Sequence, residues 1–176
     1  DPEVFLFENV RGMLYKNKWY LNEVLNELED LGYHLDYALL NAVNYKVPQN
    51  RERVIVIGSK KKIQLPEPQL EKIIVGDALG DLAVQYDEKS KFFTESMDRY
   101  VANYEKASKC VNPRDLYLDR PARTLTCRNL AGATGDMHRV KLPDGRRRRI
   151  TVREAARLQS FPDWFEFLGN ETSQFT

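Results

Sequence analysis

The spacing of hydrophobic residues predicts a strand followed by a helix at the start of the chain. Residues 4–7 are all apolar, which is typical of a strand buried on both faces of a parallel sheet. From Leu21 to Leu31 the apolar positions recur at helical spacing. Asn17 is the expected N-cap, and Gly32 is expected to end the helix.

Two further strands follow the helix. Residues 37–40 and 54–57 are short apolar runs, the second ending at Gly58. Strand, helix and strand in this order are typical of an α/β unit with a right-handed crossover. The short connection between residues 40 and 54 predicts a mixed or antiparallel edge.

The pattern becomes irregular beyond residue 65. Residues 66–110 mix charges and aromatics without a clear period, so we expect a linker and irregular structure there. Residues 124–126 are β-like within a loop-rich region. A last helix is predicted over 151–160, where Thr151 and Glu154 fit a capping box. A small, loop-rich, β-containing second domain follows from this pattern.

Composition excludes several classes of protein. The chain has 176 residues, of which 42% are hydrophobic and 30% are charged, as in an ordinary globular protein. No apolar run reaches the roughly 18 residues of a membrane helix. Cys110 and Cys127 cannot form a disulfide framework, so a reducing, cytoplasmic location is expected. His34 and His138 are isolated, and no metal site is predicted.

Charge is distributed unevenly along the chain. The net charge is only +1, yet the basic residues concentrate in the second half and the acidic ones in the first. A basic half favours a polyanionic partner bound on one side of the molecule. The alternative is a solvated, charged surface.

Glu8 and Asn9 directly follow the first predicted strand. Ligands of open α/β sheets bind at the carboxyl ends of the strands, so both side chains are candidate functional groups. The alternative is that Glu8 lies in a surface turn and that Asn9 caps a helix.

A second candidate group precedes the third strand. In an extended chain Gln49, Arg51 and Arg53 project to one face. Neighbouring guanidinium groups repel each other unless an anion lies between them, and phosphate fits their geometry. The alternative is an ion pair with Glu8 or Asp36.

The basic half carries residue types that contact phosphates and base edges. The arginine run at 146–149 is weak support, because such a run is more often a solvated face. The DNA-binding candidates there are Arg123, Thr124, Thr126, Arg128, Asn129 and Arg139.

Four segments together resemble the DNA cytosine-5 methyltransferases. They are Phe-Glu-Asn-Val at 7–10, Gln-x-Arg-x-Arg at 49–53, Arg-Thr-Leu-Thr at 123–126, and the long motif at 149–163. Their order and spacing agree with that family over essentially the whole chain. The last motif is the most specific of the four.

The resemblance implies a fold and a reaction. It implies part of a Rossmann-like α/β methyltransferase sheet, which uses S-adenosylmethionine, plus a small loop-rich target-recognition domain. In that family a cysteine attacks C6 of a cytosine flipped out of double-stranded DNA, and C5 is then methylated. By resemblance, Glu8 would hold the cytosine N3 edge with support from Asn9, and Arg53 would reach the flipped base. Arg51 and Gln49 would help to fix the DNA backbone.

The chain also departs from the family pattern. The glycine-rich cofactor loop, the Pro-Cys nucleophile motif and the closing helix are not found, so no cofactor-binding residue is predicted here. We expect residues 1–85 to be the second half of the catalytic domain. Residues 86–163 would be the recognition domain, and 164–176 the start of a return to the catalytic domain. The chain is therefore interpreted as a fragment, or one subunit of a split enzyme, that is inactive alone.

Partners follow from this interpretation. We expect double-stranded DNA, a complementary catalytic half and a bacterial modification enzyme in the cytoplasm, without a membrane. An incomplete sheet would also favour self-association. The alternative function is a DNA-binding module of the same family that performs no chemistry.

Overall fold

The computed structural model describes residues 2–110, 114–131 and 135–175, and the chain divides into two compact units. The first unit comprises residues 1–46 and 50–71, and the second comprises residues 47–49 and 72–176. Within the described ranges, no helix is long and apolar enough to cross a membrane.

The first unit is built on a three-stranded antiparallel sheet in the order β1-β4-β2. Strand β1 is Val4–Val10, β2 is His34–Asn41, and β4 is Glu52–Ser59. The expected antiparallel edge is confirmed, because β4 pairs antiparallel with β2. β4 also pairs antiparallel with β1 and therefore lies between the two other strands.

The prediction that the first strand is buried on both faces is wrong. Exposure alternates along β1, so that Val4 and Leu6 are exposed while Phe5 and Phe7 contact the core. A run of apolar residues does not distinguish a strand covered on both faces from one covered on a single face. β1 is an edge strand of the described sheet with exposed apolar residues, and self-association stays a prediction.

The predicted first helix is confirmed as α1, Lys18–Asp30. Its buried Leu21 and Leu25 pack with Val54 and Val56 of the central strand, which explains the apolar spacing of the helix. Asn17 occupies the N-cap position, but its side chain makes no capping hydrogen bond. The chain leaves the helix at Gly32, whose φ of +82° favours glycine.

The second unit is made of short elements around its own core. Its hydrophobic cluster includes Val75, Leu79, Ile150, Leu158 and Phe175, which come from distant parts of the chain. The helices are α2 (Val75–Leu79), α3 (Glu95–Ala107), α4 (Cys127–Ala131), α5 (Val152–Arg157) and α6 (Glu171–Gln174). The strands are β3 (Gln49–Asn50, the first residue of which belongs to this unit), β5 (Ala122–Arg123), β6 (Arg139–Lys141) and β7 (Arg147–Arg149).

Two predictions about this unit are wrong in detail. Residues 66–110 are not all irregular, because α3 is a 13-residue helix whose Thr94 accepts a hydrogen bond from the Met97 N–H. Only Val101 of α3 is buried, so the sequence shows little apolar periodicity. Residues 124–126 are not a strand but the loop between β5 and α4.

The division into compact units falls at residues 71 and 72. The predicted functional boundaries were 1–85, 86–163 and 164–176. Residues 72–85 belong with the second unit because Val75, Leu79 and Ala83 lie in its core cluster. Phe175 lies in the same cluster. The assignment of catalytic and recognition roles to these segments stays a prediction.

The capping box of the last predicted helix is confirmed. Thr151 accepts a hydrogen bond from the Glu154 N–H, and Glu154 accepts one from the Thr151 N–H. Glu154 is also paired through both oxygens with Arg148, at 2.8 and 2.9 Å. Both side chains are almost completely buried. One carboxylate therefore caps α5 and neutralises a buried guanidinium.

Arg148→Met should destabilise the protein strongly. Removal of one partner leaves the Glu154 carboxylate buried without its counter-ion, which costs about 3–5 kcal/mol in such pairs. Urea denaturation would measure this loss. The double variant Arg148→Met/Glu154→Leu should recover part of it, because neither charge then remains buried. The α5 cap and the Arg148 contacts with the Leu82 and Gln85 carbonyls are still lost.

Arg120→Met provides the matched control, since Arg120 pairs with Asp119 on the surface. Its urea midpoint should not change. Equal losses for Arg148→Met and Arg120→Met would contradict the importance of the buried pair.

Candidate functional site

Glu8 lies within β1, not after its end, because the strand continues to Val10. In the sheet register Glu8 is opposite Ile55, and Val10 is opposite Arg53. Residues directly opposite each other in an antiparallel pair point to the same face, and so do residues two apart on one strand. Glu8 and Arg53 therefore lie side by side on the sheet face that α1 does not cover.

The Glu8 carboxylate lies between two guanidinium groups. Its Oε1 is 2.7 Å from Arg53 Nε and 3.4 Å from Arg51 Nη2. The exposed side-chain fraction is 44% for Glu8 and 22% for Arg53. The anion between the arginines is thus Glu8, the alternative that the sequence had left open. The arrangement holds an accessible carboxylate in a fixed orientation.

Asn9 does not join Glu8 at this face. Successive side chains of a strand point to opposite sides, and Asn9 is opposite Val54, a residue of the core under α1. Asn9 Oδ1 accepts a hydrogen bond of 2.8 Å from the Val10 N–H. Asn9 therefore supports the local backbone of β1.

Gln49 belongs to the second unit, whereas Arg51 and Arg53 belong to the first, so the predicted common face of the three side chains stays a prediction. Gln49 is 2% exposed. Its Oε1 accepts a hydrogen bond from the Leu125 N–H, and its Nε2 donates one to the Leu158 carbonyl. Its amide is committed to backbone groups, so it is not available to a DNA phosphate.

Arg139 is also unavailable to DNA in this structure. Its side chain is completely buried, and its guanidinium contacts Glu105 Oε1 at 2.6 Å and Asp115 Oδ1 at 2.5 Å. Asp115 contacts Arg147 as well. The prediction of a DNA contact for Arg139 is therefore replaced by a structural role.

Arg123 occupies an intermediate position, with one third of its side chain exposed. It forms an ion pair with Asp136 at 3.2 Å, and it donates to the Asp136 carbonyl. Within the described part of the chain, its buried Nε has no hydrogen-bond partner. Burial lowers the pKa of Arg123.

The side chain of Asn129 holds the loop after β5 through hydrogen bonds to its backbone. This buried residue accepts a hydrogen bond of 2.8 Å from the Thr126 N–H and donates one of 3.0 Å to the Thr124 carbonyl. These hydrogen bonds fix the backbone of the loop and leave the Asn129 amide inaccessible to a ligand. The side chains of Thr126 and Arg128 are exposed, and Thr124 is half-buried.

Most arginines of the second unit have acidic partners, which the net charge of the segment does not reveal. Each buried or half-buried acidic side chain of the second unit neutralises one or two of these arginines. The pairs that include a residue after 105 are Arg114 and Arg123 with Asp136, Arg120 with Asp119, Arg139 with Glu105, Arg139 and Arg147 with Asp115, Arg146 with Asp144, Arg147 with Asp98, Arg148 with Glu154, and Arg157 with Asp163.

His138 is a buried polar residue that the sequence did not single out. It is 1% exposed, and neither ring nitrogen has a hydrogen-bond partner of ordinary geometry among the residues that the structure describes. Burial, together with the smaller effect of the Arg123 charge, lowers the pKa of His138 to about 4. No local sequence pattern marks this residue as buried.

Neither cysteine lies in the unit that contains Glu8. Cys110 is half-buried and Cys127 is exposed, and both belong to the second unit. Among residues 2–110, 114–131 and 135–175 there is no cluster of three His, Cys, Asp or Glu side chains that could hold a metal ion.

The motifs and the sheet define a family. The sequence model of the C-5 cytosine-specific DNA methylases matches residues 1–176, and the chain belongs to that family. It is similar to the Type II methyltransferase M.AplI of Arthrospira platensis, with 59% identity over 177 residues that cover 99% of this chain and 51% of M.AplI. Identity to M.BsuRI of Bacillus subtilis is 32% over 189 residues, which cover 99% of this chain and 43% of M.BsuRI.

Solved structures agree with the fold. S. pombe Dnmt2 methyltransferase matches with a TM-score of 0.69 and 20% identity, over 99% of this chain and 59% of that one. A putative DNA modification methyltransferase from an E. coli prophage matches with a TM-score of 0.61 and 22% identity, over 99% of this chain and 63% of that one. The predicted α/β methyltransferase fold is confirmed. The chain spans about half the length of the curated relatives.

His138 should make the stability of the protein depend on pH. Its pKa is about 4 in the folded state against 6.5 ordinarily, so between these values only the unfolded state binds the proton. Stability should therefore fall as the pH drops from 6.5 towards 4, by at most about 1.4 kcal/mol per pH unit. His138→Phe should remove this component.

Urea unfolding at several pH values would measure the pH dependence of stability in the wild type and in His138→Phe. His34→Phe is the control, because His34 is exposed, and it should retain the wild-type dependence. Parallel curves for wild type and His138→Phe would contradict the assignment.

Proposed function

We propose that the protein containing these residues is a DNA cytosine-5 methyltransferase of the bacterial modification type. It would transfer a methyl group from S-adenosylmethionine to C5 of a cytosine flipped out of a specific double-stranded DNA sequence. The observation that carries the proposal is the accessible Glu8 carboxylate held by Arg51 and Arg53. Membership of the family and the similarity to Type II methyltransferases support it.

Glu8 would act at the N3 edge of the cytosine. When a thiolate adds to C6, electron density moves through the ring towards N3 and C5. A proton held between the Glu8 carboxyl group and N3 would neutralise that charge. The C5 carbon would then take the methyl group, lose its proton to a base and release the thiol by elimination.

Arg53 would orient Glu8 and approach the flipped base. It is the closer of the two guanidinium groups, and its Nη1 also donates to the Glu52 carbonyl at 2.8 Å. Arg51 makes the longer contact with Glu8 and would take a DNA phosphate. Asn9 would keep the β1 backbone in position.

The attacking thiol would be that of the family's Pro-Cys motif in another part of the polypeptide, because neither Cys110 nor Cys127 follows a proline. S-adenosylmethionine would supply the methyl group, and we assign none of its contacts to the described residues. We accordingly expect this chain to be inactive alone.

The second unit would recognise the target sequence. Its exposed residues Thr126, in the loop after β5, and Arg128, in α4, are the best placed for DNA, with Thr124 and the exposed part of Arg123 close to them in sequence. Asn129 would contribute by fixing the loop. Cytoplasmic location and association with DNA follow from this function.

Glu8→Gln should lower methyl transfer by roughly 100-fold or more, since an amide cannot share a proton with N3 as a carboxyl group does. The measurement is transfer of labelled methyl groups to mixed-sequence DNA by the complete polypeptide. DNA affinity should change little. Glu23→Gln, on the exposed surface of α1, should retain full activity.

Normal activity of Glu8→Gln would refute the catalytic role. DNA binding without any methyl transfer by the complete wild-type polypeptide would instead favour a non-catalytic DNA-binding module.

Arg128→Ala should weaken DNA binding and its dependence on salt. Loss of one phosphate contact should reduce the slope of log K against log salt by about one. Lys89→Ala is the control, because this exposed lysine lies beside Asp87 and Glu88. An unchanged slope for Arg128→Ala would exclude Arg128 from the interface.

A further inference from the structure

The arginine–carboxylate clusters of the second unit differ in net charge. In most of them the carboxylates equal or outnumber the guanidinium groups. This holds for Arg120 with Asp119, Arg146 with Asp144, Arg148 with Glu154, Arg157 with Asp163, and Arg139 and Arg147 with Glu105, Asp115 and Asp98. Asp136 is different, because it pairs with both Arg114 and Arg123. Among the described residues of this unit, the Asp136 cluster, formed by these three side chains, is the ion-paired cluster that keeps a positive charge.

One carboxylate oxygen of the Asp136 cluster holds both guanidinium groups. Asp136 Oδ1 is 3.0 Å from Arg114 Nε and 3.2 Å from Arg123 Nη1, and the Asp136 carbonyl accepts a hydrogen bond from Arg123 Nη2. The exposed side-chain fraction is 25% for Arg114 and 33% for Arg123. The two guanidinium groups are therefore held next to each other, partly open to solvent, around a carboxylate that balances only one of them.

The backbone connects the Asp136 cluster to the loop after β5. Arg123 is the last residue of β5 and directly precedes residues 124–126. The His138 N–H, two residues after Asp136, donates a hydrogen bond of 3.0 Å to the Asn129 carbonyl. The Asn129 side chain in turn holds the backbone of the loop. All these contacts lie within the second unit, so the cluster is fixed beside the loop that we propose for DNA recognition.

The pKa of Arg123 indicates that the positive charge is not fully compensated. Burial lowers this pKa, and the attraction of Asp136 does not offset the effect, because the charge of Arg114 opposes it. In Arg120 and Arg146, by contrast, a hydrogen bond with one carboxylate raises the pKa. A second anion beside Arg123 would stabilise its charged form.

The buried side of Arg123 faces a neutral ring. His138 is 1% exposed, and burial together with the Arg123 charge lowers its pKa to about 4, so the ring carries no charge at neutral pH. A further anion would therefore approach from the solvent, where both arginines are partly exposed. Guanidinium groups match the geometry of a phosphate, which accepts several N–H hydrogen bonds at once.

We infer that Arg114 and Arg123 together bind one backbone phosphate of double-stranded DNA, and that Asp136 is the positioning residue that holds them for it. This inference rests on the proposed function. Phosphate contacts fix the position and orientation of a protein on the duplex, whereas contacts with base edges provide specificity. The Asp136 cluster would thus place the second unit on the DNA backbone, and the neighbouring loop would read the bases.

The double variant Arg114→Gln/Arg123→Gln tests the phosphate contact. We expect it to weaken the binding of cognate DNA by the complete polypeptide roughly tenfold, and to reduce the slope of log K against log salt by about one. Affinity for an unrelated sequence should fall by the same factor, because a phosphate contact carries no sequence information. Fluorescence anisotropy with labelled duplexes at several salt concentrations would measure all three quantities.

Arg120→Gln/Arg146→Gln is the matched control. It removes the same charge from two exposed pairs whose carboxylates already balance their arginines, so the slope should keep its wild-type value. An equal reduction of the slope in the control would mean that only the overall charge matters, and it would overturn the inference. Loss of cognate affinity with unchanged affinity for the unrelated sequence would indicate a base contact and would also overturn it.

Asp136→Asn gives an expected change of the opposite sign, which misfolding cannot imitate. The amide oxygen can still accept a hydrogen bond, but the negative charge beside the arginines is lost. We expect about threefold tighter binding of both cognate and unrelated DNA at low salt. Asp119→Asn, in the exposed pair with Arg120, should leave the affinity unchanged. Unchanged or weaker DNA binding by folded Asp136→Asn would overturn the inference.

DNA binding and methyl transfer separate this inference from the proposed function. If the complete polypeptide shows the expected changes in DNA binding but does not methylate DNA, the proposed function fails and the phosphate site stands. If the wild type methylates DNA but Arg114→Gln/Arg123→Gln keeps the wild-type salt slope, the phosphate site fails and the proposed function stands.

Discussion

The register of the central strand β4 is the constraint on which the candidate site depends. β4 lies between β1 and β2 and pairs antiparallel with both, and this pairing places Arg53 opposite Val10, beside Glu8. The same alternation points Val54 and Val56 towards α1. A slip by one residue would bury Arg53 and expose Val54, so the core and the site enforce one register together.

Charge pairing determines how much of the basic half can bind DNA. The sequence shows many arginines and few acids there, yet Asp115 contacts both Arg139 and Arg147, and Asp136 contacts both Arg114 and Arg123. Asp136 with its two guanidinium groups leaves one net positive charge, whereas Arg139 and Arg147 together face three carboxylates, those of Glu105, Asp115 and Asp98. Both arrangements fix the arginine side chains. The basic residues therefore build the scaffold of the second unit, and exposed loop residues provide the candidate surface for DNA.

The sequence could predict those elements whose formation depends on residues close together in the chain. The helix near Leu21 and Leu25, the strand 54–57 and the Thr151–Glu154 capping box each have a short-range pattern. The burial of Arg139 and the contacts of Gln49 depend on partners 24 to 109 residues away, which no local pattern shows. The pairing of Glu8 with the arginines was foreseen only as an alternative, because sequence spacing does not state which strands are adjacent.

The two guanidinium groups around Glu8 are not equivalent, and this difference explains how one carboxylate could both be held and remain reactive. Arg53 Nε is 2.7 Å from Glu8, while Arg51 Nη2 is at 3.4 Å and its side chain is more exposed. An incoming phosphate would compete for the weaker and more solvated contact first. Arg51 could then turn to the DNA backbone while Arg53 kept the carboxyl group in place.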